Sequence, residues 1–222
     1  MNWLSQNWPQ VLDHLVSHLA LSIPSILISV LIAVPIGRLA FRKPLVGGPL
    51  LGAASLLYAV PALPLLVIIP AVVGLSPRSP WVMVIALSLY GVALLVRTAS
   101  DAFAAVDRHV REGALAVGHS RRSVFWRVDL PLALPVLIPG IRVVTVSTIS
   151  LVTIGALIGV PSLGSLLTDG FQRGITASVA TGIIATMLLA LVLDAALVLL
   201  GRVLTPWRRW ADESDGRVAL AQ

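Results

Sequence analysis

Few side chains in this sequence could carry chemistry, and His14 and His18 form the first candidate pair. Their spacing of four residues can present two imidazoles to one metal ion from one face of a helix. Beyond the neighbouring Asp13, no third ligand is apparent in the sequence. We therefore interpret both histidines as residues of a polar helix face and predict no metal site.

A second candidate is Asp194, which stands inside a long apolar stretch. A carboxylate within a membrane helix is costly, so it usually faces the bundle interior or a partner. A proton relay is conceivable at such a position, although we favour a structural role as a buried polar group. A membrane-embedded enzyme would need paired carboxylates or metal ligands inside the bilayer, and apart from Asp194 the apolar stretches contain none. We predict no catalytic residue.

The third candidate is the stretch 112–131, a long polar interruption of a mostly apolar chain. Asp107 can cap a short helix from about 108 to 117, because its carboxylate accepts orphan N–H groups at the positive helix end. Gly118 then supplies a left-handed stop. Ser120 can cap a second short helix, which a following proline would end or kink. The pattern predicts a helix, a tight glycine turn and a second helix.

The spacing within this stretch resembles the EAA loop of ABC importer permeases, whose pattern is E-A-A, three residues, G, nine residues, I, one residue and L-P. Two positions differ from that pattern, a glycine for the first alanine and a valine for the isoleucine. The corresponding residues are Glu112, Gly113, Ala114, Gly118, Val128, Leu130 and Pro131. The resemblance implies that they contact a cytoplasmic ATPase and transmit its motion. A DNA-binding helix-turn-helix also combines arginines with a glycine turn, but membrane-length apolar runs flank this stretch and argue against nucleic acid.

Composition indicates that the chain lies in a lipid bilayer. With 57% hydrophobic and 12% charged residues, its 222 residues carry too few polar side chains to cover a soluble globule. We predict an all-α membrane protein with about five transmembrane helices. They are expected within the long apolar runs 14–37, 44–77, 79–96, 143–168 and 174–201.

Charge distribution gives the orientation. The run 44–77 contains several prolines and could be one broken span or a tight hairpin of two. With one span there, 14 of the 16 Lys and Arg residues fall on one side, and Arg78 and Arg173 fall on the other. Short cytoplasmic loops are rich in Lys and Arg, which makes the first side the cytoplasm. We predict a multi-pass protein of the plasma (inner) membrane with its N-terminus outside and its C-terminus inside.

The spans divide the chain into three parts. Residues 1–18 are predicted to form an external interfacial segment, because tryptophan and leucine recur there at helical spacing. Residues 19–204 form the transmembrane permease domain, with the coupling loop at about 107–131. Residues 205–222 form a cytoplasmic tail, with Trp207, Arg208, Arg209 and Trp210 as an interfacial anchor.

Prolines recur every four residues after the coupling loop, at Pro131, Pro135 and Pro139. Because proline disturbs a helix interior, we predict that the fourth span begins near Ile138. This start leaves Arg142 close to the cytoplasmic interface, where its side chain can snorkel.

Over roughly residues 20–202, the chain resembles the ABC importer permeases for glycine betaine, carnitine, choline and related osmoprotectants, which implies the type I permease fold. Leu157–Gly164 is similar to that family's L-I-G-A-G-G-L-G, and Tyr58–Pro64 to its Q-T-I-P-S-L-A. A glycine-rich break next to a span can line a pore, although an ordinary connection would have the same composition. The resemblance suggests a translocation path that includes Tyr58, Pro61, Pro64, Gly159 and Gly164.

The same resemblance implies the partners. The sequence has no phosphate-binding G-x-x-x-x-G-K-[ST], so we expect no enzymatic activity and no cofactor in this chain, and ATP with Mg in a separate ATPase subunit. A second copy or a homologous permease would complete the path, and an extracytoplasmic binding protein would deliver the solute. The alternatives are a permease for an amino acid or another small polar solute, or an ion-coupled secondary transporter that uses Asp194 and Arg142.

Overall fold

The computed structural model describes residues 2–207, which form helices joined by short turns. No strand occurs within this range, in agreement with the predicted all-α class. Met1 and residues 208–222 lie outside the described residues. Most of the predicted cytoplasmic tail, including Arg208, Arg209 and Trp210, therefore has no structural description.

The helices follow one another closely along the chain. In order they are α1 (Asn2–Arg42), α2 (Pro44–Ala59), α3 (Ala62–Val73), α4 (Pro80–Ala104), α5 (Arg108–Ala116), α6 (Arg121–Val124), α7 (Leu130–Val152), α8 (Leu163–Gln172) and α9 (Thr176–Leu204). A π-helical turn, Phe125–Asp129, joins α6 to α7, and a 3-10 helix, Thr153–Ile158, follows α7.

Helix α1 is longer than a membrane requires. Its 41 residues correspond to about 60 Å of helix, twice the thickness of a hydrocarbon core of roughly 30 Å. Residues 1–18 were predicted as a separate interfacial segment, but no break divides them from the span that follows. Their position at the membrane surface stays a prediction.

The proline-rich run forms a broken pair of helices. Helices α2 and α3 have 16 and 12 residues and meet at an angle of 106°. Neither helix reaches the roughly 20 residues that a membrane crossing needs, so the pair makes at most one span. Together with α1, α4, α7 and α9, it accounts for the five predicted spans.

The predicted start of the fourth span near Ile138 is wrong. Helix α7 begins at Leu130, and helical structure is continuous from Arg121 to Ile158. Pro131 lies in the first turn of α7, where proline fits well, and a wide π-helical turn precedes it. Pro135 and Pro139 are accommodated inside the helix, as prolines often are in membrane helices.

The glycine-rich stretch after α7 is more ordered than expected. Instead of an irregular segment, it consists of the 3-10 helix and of α8, which are separated by a turn at Gly159. Gly159 has φ of 81°, in the left-handed region. Ser162 caps α8 by accepting a hydrogen bond from the Gly164 N–H at 3.1 Å.

Helix α4 is the centre of the bundle. Of its most apolar window, 67% is buried inside the chain, against 6% for α9. The N-terminal half of α4, with Met83 and Leu87, packs in one apolar cluster. The C-terminal end, with Ala99 and Phe103, packs in another. Gly37 of α1 lets the two helices meet closely, since a Cβ atom there would lie 2.5 Å from the Cβ of Ala99. The position of α4 therefore sets the position of its neighbours.

Candidate coupling site at one end of the bundle

The predicted first helix and glycine turn are present, but the second helix does not end at Pro131, because α6 continues through the π-helical turn into α7. Asp107 accepts a hydrogen bond from the His109 N–H at 2.8 Å, and Ser120 accepts one from the Ser123 N–H at 3.2 Å. Between the two caps, Gly118 has φ of 93°, a conformation that L-residues with side chains adopt only at a cost. Both caps and the glycine stop are thus confirmed at the predicted residues.

Glu112 lies on the exposed side of α5. Its carboxylate accepts a hydrogen bond of 2.6 Å from Arg108 Nε, and this contact raises the pKa of Arg108 above its ordinary value. The neighbouring Gly113 has open space where a side chain would project. An alanine would fit at that position, so the glycine that departs from the EAA pattern leaves the helix shape unchanged.

Helix α5 also presents partly exposed apolar side chains at the surface. None of its residues is buried, and Val110 and Leu115 are 45% and 44% exposed. At the turn, Val117 is 78% exposed. Apolar side chains grouped beside charged ones on a short surface helix are typical of a contact surface for another protein.

Asp129 joins this surface to the membrane helices, and the sequence did not single it out. Its side chain is 4% exposed and accepts a hydrogen bond from Arg111 Nε at 2.6 Å. Two cations of α1, Arg38 and Arg42, each place Nη2 at 3.6 Å from the second carboxylate oxygen. We call these four residues the Asp129 cluster.

Aromatic rings and a backbone carbonyl complete the surroundings of the cluster. The Arg38 guanidinium carbon lies 3.6 Å from the centroid of the Phe125 ring, and that of Arg111 lies 4.9 Å from the centroid of Phe41. Arg111 also donates a hydrogen bond to the carbonyl of Phe103 near the end of α4. The cluster therefore joins α1, α4, α5 and the π-helical turn.

These contacts also answer a question of topology. Because Arg38 and Arg42 meet Arg111 and Asp129, the C-terminal end of α1 lies at the same end of the bundle as α5. The chain between them contains α4, which is one span, so the α2–α3 pair must cross once as well. The arrangement agrees with a broken span and excludes a hairpin of two spans.

The suggested path residues do not form one group. Tyr58 lines a cavity of about 330 Å³ between α2, α4 and α7. Pro61 is the N-cap residue of α3. Pro64 lies in the first turn of α3. Gly164 is a packing position, because a Cβ atom there would lie 2.1 Å from the Thr153 carbonyl oxygen, and Gly159 lies beside Arg78.

Asp194 has a partner that the sequence did not indicate. Arg142 donates two hydrogen bonds of 2.7 Å, one to each carboxylate oxygen of Asp194. Arg142 was predicted to snorkel to the interface, but it joins α7 to α9 instead. The Asp194 side chain is 25% exposed and not fully buried as expected, and it lines a second cavity of about 500 Å³, which shares Val146 and Ser150 with the first.

The two histidines of α1 have different surroundings. Within residues 2–207, no group of three or more His, Cys, Asp or Glu side chains could hold a metal ion. His18 is buried, and its Nε2 lies 3.1 Å from the Ile149 carbonyl oxygen of α7. His18 is therefore a packed core residue, whereas the sequence predicted that it would lie on a polar helix face.

Comparison with known proteins gives the family. Residues 25–206 match the family described as the binding-protein-dependent transport system inner membrane component. The chain belongs to this family. Since the match includes α5, the turn and the π-helical segment, the coupling site described above lies inside the family domain.

Curated relatives of this permease match over nearly their whole length. The osmoprotectant import permease protein OsmW of Salmonella typhimurium is 34% identical over 200 residues, covering 85% of this chain and 89% of that protein. The glycine betaine/carnitine/choline transport system permease protein OpuCD of Bacillus subtilis is 27% identical over 208 residues, covering 93% of this chain and 90% of the relative.

Solved structures share the fold. The permease chain superposes on the MetNI methionine ABC transporter in an inward-facing conformation with a TM-score of 0.77 and 18% identity, covering 88% of this chain and 96% of that chain. An amino acid ABC transporter gives a TM-score of 0.69 at 17% identity, covering 91% and 96%. Both are ABC transporters, and the predicted type I permease fold is confirmed.

Asp129 and Glu112 allow a direct test of how burial changes the contribution of a carboxylate to stability, because their side chains are 4% and 51% exposed. Asp129→Asn removes the charge that balances three arginines, so we expect it to lower the free energy of unfolding by roughly 3 kcal/mol or more. Glu112→Gln is an equally isosteric change in an exposed ion pair, and we expect it to leave the free energy of unfolding almost unchanged. The measurement is the thermal unfolding midpoint of each purified variant in detergent. Equal midpoints for the two variants would contradict the structural role of Asp129.

Proposed function

We propose that this chain is the membrane-spanning permease subunit of an ATP-driven importer of small quaternary ammonium solutes, such as glycine betaine, choline or carnitine. The observation that carries the proposal is the near full-length match to relatives named for these solutes. An amino acid is the alternative cargo. The methionine and amino acid transporters that share the fold are 17–18% identical to this chain, so they speak for the fold alone and not for the cargo.

ATP hydrolysis belongs to a partner in this proposal. A cytoplasmic ATPase subunit binds ATP and Mg and rests on α5 and the glycine turn, where Val110, Leu115 and Val117 need cover and Glu112 with Arg108 supplies charge at the rim. The remaining motif positions, Val128, Leu130 and Pro131, lead into α7 and carry the motion towards the membrane. This chain itself contributes no catalytic group and no cofactor.

Two further protein partners are part of the proposal. A second copy or a homologous permease covers the side of the bundle where α9 is almost wholly unburied, with the lipid bilayer around both. An extracytoplasmic substrate-binding protein delivers the solute to the end opposite α5. The family description, which refers to binding-protein-dependent transport, supports this delivery.

The orientation follows from charge and from the Asp129 cluster. The cluster brings Arg38, Arg42 and Arg111 to one end of the bundle, which is also the end with α5 and α6. Cations concentrate at cytoplasmic loops, so we assign this end to the cytoplasm, with the N-terminus outside and the C-terminus inside.

Uptake of labelled solutes tests the cargo. In cells that express the complete importer, we expect glycine betaine, choline or carnitine to accumulate in an ATP-dependent way, and methionine not to accumulate. The control is the same importer without its binding protein, which should take up none of them. Methionine uptake without uptake of any quaternary ammonium solute would refute the assignment.

Labelling of single cysteines tests the orientation. The chain contains no cysteine, so Ser120→Cys and Ser76→Cys each introduce one reactive thiol at an exposed position. In intact cells, a membrane-impermeant maleimide should label position 76 and spare position 120, which should react only after the membrane is opened. Labelling of position 120 from outside would contradict a cytoplasmic coupling site.

A matched pair of glycines tests the coupling role. Gly118 and Gly174 have positive φ angles of 93° and 66°, and both have open space at the Cβ position. Valine costs roughly 1–2 kcal/mol of backbone strain at either position. We expect Gly118→Val to tilt α6 and abolish substrate-stimulated ATP hydrolysis, and Gly174→Val to preserve it. Equal loss in both variants, at matched membrane levels, would mean that strain alone is responsible.

A further inference from the structure

The two tyrosines of the chain meet inside the membrane bundle. Tyr58 is on α2 and Tyr90 is near the middle of α4, and their ring centroids are 6.0 Å apart with an interplanar angle of 65°. Aromatic residues make up only 5% of the sequence, yet its two tyrosines contact each other. The pair has an edge-to-face geometry, which leaves ring surface available on each side.

The hydroxyl group of Tyr90 has a structural partner. It donates a hydrogen bond to the Val60 carbonyl oxygen, at the break between α2 and α3. This bond holds the Tyr90 ring and the break in fixed relation. Within residues 2–207 the Tyr58 hydroxyl makes no hydrogen bond, and the side chain is 51% exposed. The Tyr58 ring is therefore the part of the pair that is open to a ligand.

Both rings line the cavity of about 330 Å³ between α2, α4 and α7. Helix α7 contributes hydroxyl groups to the same wall, from Ser147, Thr148 and Ser150. The other lining residues are apolar or glycine, so the wall carries no charged side chain. Through Val146 and Ser150, the cavity adjoins the larger one that Asp194 lines.

Such a lining selects one kind of cation. A methylated ammonium group has a diffuse charge and a weak hydration shell, and the negative face of an aromatic ring attracts it. Magnesium ions are held in proteins by one or more carboxylates, and no carboxylate lines this cavity. A site on a transport path must also release its ligand, and the absence of a carboxylate keeps the attraction weak.

On this basis we propose that Tyr58 and Tyr90, with the hydroxyl groups of Ser147 and Ser150, form a transit site for the quaternary ammonium group of the cargo. The inference rests on the proposed function, and it adds the place where the cargo crosses this chain. The serine hydroxyls lie where they can donate hydrogen bonds to a carboxylate or hydroxyl group at the other end of the solute.

Graded changes at Tyr58 in the complete importer test the site, because Tyr90 also has the structural bond to Val60. In proteoliposomes with choline as the probe, we compare Tyr58→Phe, Tyr58→Leu, and phenylalanines with increasing fluorine substitution at position 58. Fluorine weakens the negative ring face at nearly constant size. Leu56→Ala, at a 73% exposed position on α2, is the matched control.

The expected result is a stepwise fall of the maximal uptake rate with fluorination, reaching about tenfold for Tyr58→Leu, while Tyr58→Phe stays within about twofold of the natural protein. The choline concentration at half-maximal uptake should not change, because the separate binding protein sets it. Leu56→Ala should have no effect. A purely structural role for the ring would not produce a graded response to fluorine.

Two results would overturn the inference, and they differ from each other. If choline uptake is insensitive to fluorination, or equal in Tyr58→Phe and Tyr58→Leu, the transit site is refuted and the importer assignment stands. If the natural importer moves no quaternary ammonium solute at all, the proposed function fails and the transit site fails with it.

Discussion

A buried carboxylate surrounded by three cations is the constraint on which the rest of this structure depends. Asp129 cannot remain charged in its 4% exposed position without the arginines, and Arg38 and Arg111 cannot remain close to each other without Asp129. The requirement brings the end of α1, the start of α7 and helix α5 into one group. The contacts therefore link α5 directly to α1 and to the π-helical turn that leads into α7.

Local signals in the sequence predicted the surface of this site well. The caps at Asp107 and Ser120 and the left-handed turn at Gly118 depend on neighbouring residues only, so residue type and spacing were enough. The Asp129 cluster combines residues from three elements far apart in sequence, and spacing cannot reveal such a contact. An acidic residue directly between the apolar Val128 and Leu130 was the available signal, since a buried charge requires a partner.

Prolines and paired charges explain the remaining differences between expectation and structure. The start of α7 was predicted too late because Pro135 and Pro139 were treated as in a soluble helix, whereas membrane bundles tolerate them. Arg142 and Asp194 lie 52 positions apart, and the sequence suggested them together only as coupling groups of a secondary transporter, not as an ion pair. The five spans, by contrast, were predictable from composition, because the length of an apolar run is a property of the sequence itself.

The ratio of solute moved to ATP hydrolysed in the complete importer tests the central claim most directly. Arg111→Gln breaks the link from α5 to Asp129, and Arg108→Gln breaks an exposed pair on the same helix. If the cluster transmits the motion of the ATPase, Arg111→Gln will continue to hydrolyse ATP while solute uptake per ATP falls, and Arg108→Gln will keep the natural ratio. A natural ratio in Arg111→Gln, with normal assembly, would contradict this account of coupling.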